Sequence, residues 1–417
     1  MNQKKSLELY KRAIKVIPGG THTISKMYAR FVMGIAPAYI KSAHGYNIID
    51  EDDNSYIDWS ASLGAKIIGY NDCCNFKNDC LYSLPNKKEI ELCELLCEII
   101  PCAEMVRLFK NGSDACTAAV RLSRYITGRN KVICCGYHGW HDWYASTLPF
   151  PKNGGTENEN VVKIDYGNLG QLDYELYGND AACFILEPMS RLCPEKADRE
   201  YLLEVKRLCR KYGVLLIFDE MIMGFRYALG GGGELYNVIP DLACFGKAMS
   251  NGYPISALVG RKELMKEIIK LQISGTYFTE NHSIEVALTT IKYLINNNIV
   301  EKINNMGQQF FNDIDILITK HKMRDIVYIK GFGAWNSFVW NNENYLEQCY
   351  FLQEIMKNGI FYNRDHFVMA CHDEYAIKKT LIVYNHVFSE LRNMAGDKEK
   401  IKSKIEGVCF NSDLFPK

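Results

Sequence analysis

Short apolar runs, each closed by a polar or ionisable residue, set the rhythm of the middle of this chain. Residues 106–109 run into Asn111-Gly112-Ser113-Asp114, and residues 131–135 into Gly136-Tyr137-His138. Residues 183–186 end in Glu187-Pro188, residues 214–218 in Asp219-Glu220, and residues 242–245 lead through Gly246 to Lys247. Unbroken apolar runs of this length are expected of parallel strands covered on both faces. Residues 255–259 read as a further strand. Between the runs the spacing becomes helical: Ile90, Leu92, Leu95, Leu96 and Ile99 within residues 87–100, then Ala115, Ala118, Ala119 and Leu122, then an amphipathic stretch over residues 201–212. Strands alternating with helices predict an α/β fold around a mostly parallel sheet. Such open sheets place their ligand crevice at the carboxyl ends of the strands, where these polar residues would converge.

The flanks read differently. A helix is expected over residues 7–17, stopped by Pro18-Gly19-Gly20. Residues 46–50 and 55–59 flank Asp52-Asp53-Asn54 as a hairpin. Residues 150–177 read mainly as a surface excursion, and Gly230-Gly231-Gly232-Gly233 as a flexible turn. A long helix starts at Asn281 and leads to strand-like stretches at residues 325–329, 334–340 and 366–370. A last helix carries Ile377, Leu381, Tyr384 and Phe388 on one face, with Asp373 as its cap. With 417 residues the chain exceeds one ordinary core. The expected division is an N-terminal segment at 1–60 with helix and hairpin, packing with the small domain, a large domain at 61–300, and a small C-terminal domain at 301–417.

Composition removes several function classes. Basic and acidic residues number 49 each, so no charge excess points to nucleic acid or an anionic membrane. No apolar run is long enough to cross a bilayer, and the N-terminus lacks a signal-peptide core. The 16 cysteines are scattered, with no CxxC, and several fall inside apolar strand runs. That pattern favours free thiols in a reducing, cytoplasmic setting over disulfides or a metal site.

Asp219 and Lys247 at one rim read either as a buried ion pair or as a cofactor site, with the lysine forming a Schiff base and the aspartate pairing with a pyridine nitrogen. Asn111-Gly112-Ser113 before a helix suits an anion, since free N–H groups and the helix dipole point outward there. The alternative is an ordinary helix start capped by Ser113 or Asp114. His138 and His141 read equally well as caps of backbone groups. Arg30, Arg191, Arg226 and Arg364 are candidates for a substrate anion, with a surface ion pair at least as good a reading of Arg191.

Ile217-Phe218-Asp219-Glu220, Gly224-Phe225-Arg226, Pro240-Asp241-Leu242 and Phe245-Gly246-Lys247-Ala248-Met249-Ser250-Asn251-Gly252-Tyr253-Pro254 closely resemble the lysine region of the class III pyridoxal-phosphate aminotransferases. Within these, the chain is similar to the branch containing glutamate-1-semialdehyde aminomutase. The resemblance implies the PLP fold type I (aspartate aminotransferase-like), a three-layer large domain with a smaller α+β C-terminal domain. It implies pyridoxal 5'-phosphate on Lys247, with Asp219 at its ring nitrogen, Tyr137 stacked on the ring, and His138 and Glu187 nearby. Gly112 and Ser113 would hold the phosphate, together with Thr276 from the neighbouring subunit of a homodimer. An amino-acid donor and a carbonyl acceptor are implied as substrates. Arg30 lies where the aminomutase branch has a segment near its substrate. Trp140 and His141 depart from the commonest family pattern, and the residues after Thr276 are bulkier than usual. Ser250-Asn251-Gly252-Tyr253-Pro254 resembles relatives acting on surface sugars or secondary metabolites. Intramolecular amino transfer is the nearest alternative; racemase or decarboxylase chemistry and an inert scaffold rank lower.

Overall fold

The computed structural model describes residues 2–70, 76, 79–190, 193–341 and 344–410. It divides into two compact units, one of Met1–Leu63, Ile68–Asn71 and Ile303–Lys417, the other of Gly64–Ile67 and Asp72–Lys302.

The second unit is built on a seven-stranded sheet. Its strands are β1 (Met105–Phe109), β2 (Lys131–Cys135), β3 (Val161–Lys163), β4 (Ala181–Leu186), β5 (Leu215–Asp219), β6 (Leu242–Phe245) and β7 (Ser256–Gly260). Their order in space is β1-β7-β6-β5-β4-β2-β3. Only β7 runs against its neighbours; β6, β5, β4, β2 and β3 pair in parallel, and β1 runs with them. Every residue of β4, β5, β6 and β7 is buried, which explains their unbroken apolar runs.

The helix Gly112–Thr127 (α1) lies on this sheet. Its inner face is small: Ala115, Cys116, Ala118 and Ala119 pack among Cys134, Cys183, Ile185, Ile217, Leu242, Cys244 and Leu258. Short side chains let the helix backbone approach the strands closely. The cysteines in this core act as small apolar fillers. Two expectations fail here. Residues 150–177 are no simple excursion, because Val161–Lys163 joins the sheet edge and Leu169–Tyr177 is a helix that buries Leu172 and Leu176. The run Gly230–Gly233 is no flexible turn either; Gly231–Leu235 is a short helix, and its three glycines are buried.

The first unit carries two smaller sheets. Ile40–His44, Asn47–Asp50 and Ser55–Asp58 pair antiparallel, and Ile360–Phe361 adds a parallel edge. The expected hairpin is present, preceded by a strand that polar Lys41, Ser42 and His44 had hidden from periodicity. Val327–Phe332, Trp335–Trp340 and His366–Phe367 form the other sheet. The last strand is only two residues long, shorter than residues 366–370 suggest. Phe338 touches Phe351, Tyr384 and Phe388 edge-on, which joins this sheet to the helices Tyr345–Lys357 and Glu374–Asn393. Cys349 and Cys409 form a disulfide with Cα atoms 5.8 Å apart, so the free-thiol expectation does not hold for this pair.

Asp373 caps its helix as the sequence suggests, its Oδ1 accepting the Ala376 N–H at 2.8 Å, while Tyr46 donates to Oδ2 at 3.3 Å. Asp373→Ala should cost about 1 kcal/mol, and Asp373→Asn much less, as read from denaturant midpoints.

Candidate active site

The parallel strands bring their carboxyl ends to one rim. Asp219, the last residue of β5, lies beside Cys244 of β6, three residues before Lys247. Leu186 of β4 lies beside Phe218, so Glu187 follows next to Asp219. Cys135 of β2 pairs with Leu186, which sets Tyr137 and His138 on the other side. The Tyr137 N–H donates to Glu187 Oε2 at 3.3 Å and ties two strand ends together.

Asp219 is 5% exposed and held by three donors. His138 Nδ1 lies 2.8 Å from Oδ2, Cys116 Sγ donates to the same oxygen at 3.5 Å, and the Met221 N–H reaches Oδ1 at 3.1 Å. The other ring nitrogen of His138 faces the Cys135 carbonyl at 3.0 Å. A carbonyl and a carboxylate both only accept, so these two bonds call for a hydrogen on each ring nitrogen. The buried ring thus bridges a backbone carbonyl and a carboxylate. A carboxylate has about four acceptor positions, which leaves Oδ1 able to accept once more.

Glu187 is partly exposed. Burial first, then the Asp219 charge, pushes its carboxyl up to about 7. The proximity of His138 and Lys247 opposes that rise. Lys247 opens a tight turn, Lys247–Ser250, with φ of 45°, in the left-handed region that a residue with a side chain rarely occupies. Asn251, which ends the turn, is also left-handed at φ 46° and accepts the Ile67 N–H at 2.9 Å. The chain then enters β7, where Ser256 Oγ donates to the Asn111 carbonyl at 2.7 Å.

At the start of α1 the N-cap is Asn111, not Ser113 or Asp114; Asp114 instead reaches back to the Asn111 N–H at 3.0 Å. The Gly112 and Ser113 amides have no acceptor among the described residues. A Cβ on Gly112 would sit 2.8 Å from Met221 Sδ, and one on Gly139 only 2.3 Å from Ser113 Oγ. Both glycines are therefore fixed by contact. Tyr137 stands 63% exposed above this rim. Two free helix amides, an exposed aromatic ring, a carboxylate with acceptor capacity and a primary amine suit a flat aldehyde bearing a phosphate.

Comparison with known proteins gives the family. The family Aminotransferase class-III matches residues 28–386. The chain belongs to this family. A 3-aminobutyryl-CoA aminotransferase of Cloacimonas acidaminovorans (strain Evry) is 36% identical over 333 residues, 75% of this chain and 78% of that protein. A glutamate-1-semialdehyde 2,1-aminomutase of Fusobacterium nucleatum is 30% identical over an alignment of 438 positions, covering 94% and 99%. The crystal structure of an omega-transaminase from Sphaerobacter thermophilus superposes with a TM-score of 0.84 at 22% identity, covering 94% of this chain and all of that one. The fold is PLP fold type I, the cofactor is pyridoxal 5'-phosphate, and the protein is an aminotransferase-type enzyme acting on amino-acid and carbonyl substrates.

The arginines of this class-III chain divide. Arg226 is fully buried and donates to the Gly64 and Lys66 carbonyls at 3.0 and 3.3 Å; burial lowers its pKa to about 10. It supports backbone. Arg30 is buried in a 3-10 turn and Arg364 lies in a left-handed position at φ 74°, both in the first unit. Arg191 lies outside the described residues. Thr276 is exposed in a loop tied to the end of β1: Arg107 donates to the Ile273 carbonyl at 2.9 Å, and Lys110 pairs with Glu280 at 3.0 Å. His141 faces Thr117 at 2.8 Å and Asp114 at 3.8 Å, so it braces α1. No cluster of metal-binding side chains occurs among the described residues, and no described helix is long and apolar enough to cross a membrane.

Sequence reasoning missed two supports. Cys116 was hidden because a cysteine on an apolar helix face reads as core. Glu220 accepts the Gly232 and Gly233 amides at 2.8 and 3.0 Å, so the glycine run seats a buried carboxyl group. Burial still pushes the Glu220 carboxyl up to about 8 against those two donors.

Glu187 yields a stability prediction. Its unfolded form loses the proton near the ordinary glutamate value, its folded form near 7. The stabilisation is therefore complete below that ordinary value and disappears as pH rises through about 7. Denaturant titrations of the apoprotein should show this decline between pH about 4.5 and 7, and Glu187→Gln should lack that component.

Proposed function

We propose that the carboxyl rim of the sheet is the catalytic centre of an aminotransferase moving an amino group from an amino-acid donor to a carbonyl acceptor. The observation that carries this reading is the adjacency of β5 and β6, which deliver Asp219 and Lys247 to one edge. Pyridoxal phosphate, when bound, supplies an electron-accepting ring that stabilises negative charge at the substrate α-carbon. Asp219, with Oδ1 still able to accept, would hold the ring nitrogen and favour its charged form. His138 holds Asp219 from behind rather than touching the ring. Tyr137 would stack against the ring, Glu187 would stand near it, and the Gly112 and Ser113 amides would hold the phosphate.

Lys247 Nζ would hold the cofactor's aldehyde carbon. Once free, the same amine would serve as the base that takes a proton from the substrate α-carbon. Residues 61–300 form the cofactor domain, 1–60 pack with the small domain, and 301–417 make up that domain. Thr276 completes the phosphate site of a second subunit in a homodimer; its exposure within one chain supports this. The many buried free thiols support a cytoplasmic setting.

Likeness of the Ser250–Pro254 segment to enzymes of surface-sugar or secondary metabolism favours an acceptor of that kind. A second reading, intramolecular amino transfer, is favoured by the aminomutase relative that aligns over 94% of this chain. An amino donor alone should convert the cofactor spectrum in a transaminase, with a keto acceptor restoring it. An aminomutase would turn over without any keto acid.

Lys247→Ala should abolish the near-visible cofactor absorbance and reduce turnover to background; a retained band would remove the assignment. Thr276→Ala should weaken cofactor retention about tenfold, and mixing it with Lys247→Ala chains should restore about one complete site per heterodimer, read by cofactor titration.

A further inference from the structure

The bond from Cys116 to Asp219 belongs to none of the roles above. Cys116 lies on α1 one turn beyond Gly112, and is 1% exposed. Its sulfur lies 3.5 Å from Asp219 Oδ2, the oxygen that also faces His138 Nδ1 at 2.8 Å. Cys244, the register neighbour of Asp219, sits in the same buried core. The Cys244 thiol beside it, burial and the Asp219 charge all push the Cys116 thiol well up. It therefore keeps its proton and serves as a donor.

One donor on a carboxylate oxygen leaves the group free to turn about its Cβ–Cγ bond. Two donors on Oδ2, arriving from different elements, and a third on Oδ1 fix its plane. Cys116 also belongs to the helix whose first amides are free for an anion. A shift of α1 would therefore move the anion cradle and the thiol donor together.

We propose that Cys116 is a positioning residue of the aminotransferase site: its S–H shares Oδ2 of Asp219 with His138, sets the carboxylate plane, and leaves Oδ1 for the cofactor ring. The inference rests on the reading that Asp219 pairs with that ring. A thiol is a weak donor, so it orients the carboxylate while drawing little charge from it. A hydroxyl at the same place would compete harder with His138 for the shared oxygen.

The test compares wild type, Cys116→Ala and Cys116→Ser. In the apoprotein, proton NMR of isotope-labelled histidine reads the His138 Nδ1–H resonance. Loss of the competing donor in Cys116→Ala should move it downfield, and the stronger donor in Cys116→Ser should move it upfield. Shifts in the same direction, or none, would overturn the proposal, because a space-filling role has no such sign reversal. Should the alanine variant fail to fold, the serine variant still decides: an upfield shift supports the proposal and an unmoved resonance overturns it. In the holoenzyme, Cys116→Ala should lose cofactor about 3- to 10-fold faster, with KM for the amino donor unchanged and kcat lowered. Unchanged cofactor release would also count against it. If Lys247→Ala kept its near-visible band, the cofactor reading would fall while the apoprotein shifts stayed as predicted, so the two failures are distinguishable.

Discussion

A carboxylate enclosed at the end of a buried strand must be met by donors or give up its charge, and the rim is arranged around that constraint at Asp219. A hydrogen bond to a charged group contributes about 1.5–3 kcal/mol, whereas an unmet buried charge costs several times more. The donors come from three elements: the loop after β2, helix α1, and the turn after β5 itself. Each is anchored in turn. His138 is fixed by the Cys135 carbonyl, Cys116 by the small-residue face of α1, and Met221 by its packing against Gly112. The aspartate is thus held in place by the same contacts that close the sheet edge.

Glu187 and Glu220 show the other outcome. Both lie beside Asp219, and both have their protonated forms favoured chiefly by burial. Three carboxyl groups in so small a space cannot all be ionised cheaply. The donors are distributed unevenly, and only Asp219 receives an imidazole. Glu220 obtains two glycine amides that make its burial tolerable. The outcome is one carboxyl group held by three donors with two weaker acids beside it.

Much of this was legible in the sequence because the strands of a doubly covered sheet must be apolar throughout. Residues 131–135 and 242–245 were located with their final bounds, and the polar residue after each run marked the rim. Periodicity failed where an element is short or polar: Ile40–His44 carries mostly polar side chains, and Val161–Lys163 is an edge strand of three residues. Glycines misled for a different reason. Backbone freedom in isolation says flexible, whereas Gly231 at φ 69° packs its Cα against the Glu220 carboxylate and is held there. The bond between Cys116 and Asp219 joins residues far apart in sequence, and no local pattern encodes it. The arginines stayed unranked because a guanidinium that supports backbone, as Arg226 does, has the same one-letter signature as one that binds substrate.

The single reversed strand has a consequence for how this framework could diversify. A parallel β7 would need a long crossover after the lysine turn. Because β7 runs the other way, the chain doubles back at once, and Ser256 fastens to Asn111 at the mouth of α1. Lys247 and the free amides that open α1 are thereby joined through one short segment. Insertions there would pull the two apart. New chemistry on such a scaffold has to be recruited through the remaining rim loops, with this seam kept at its present length.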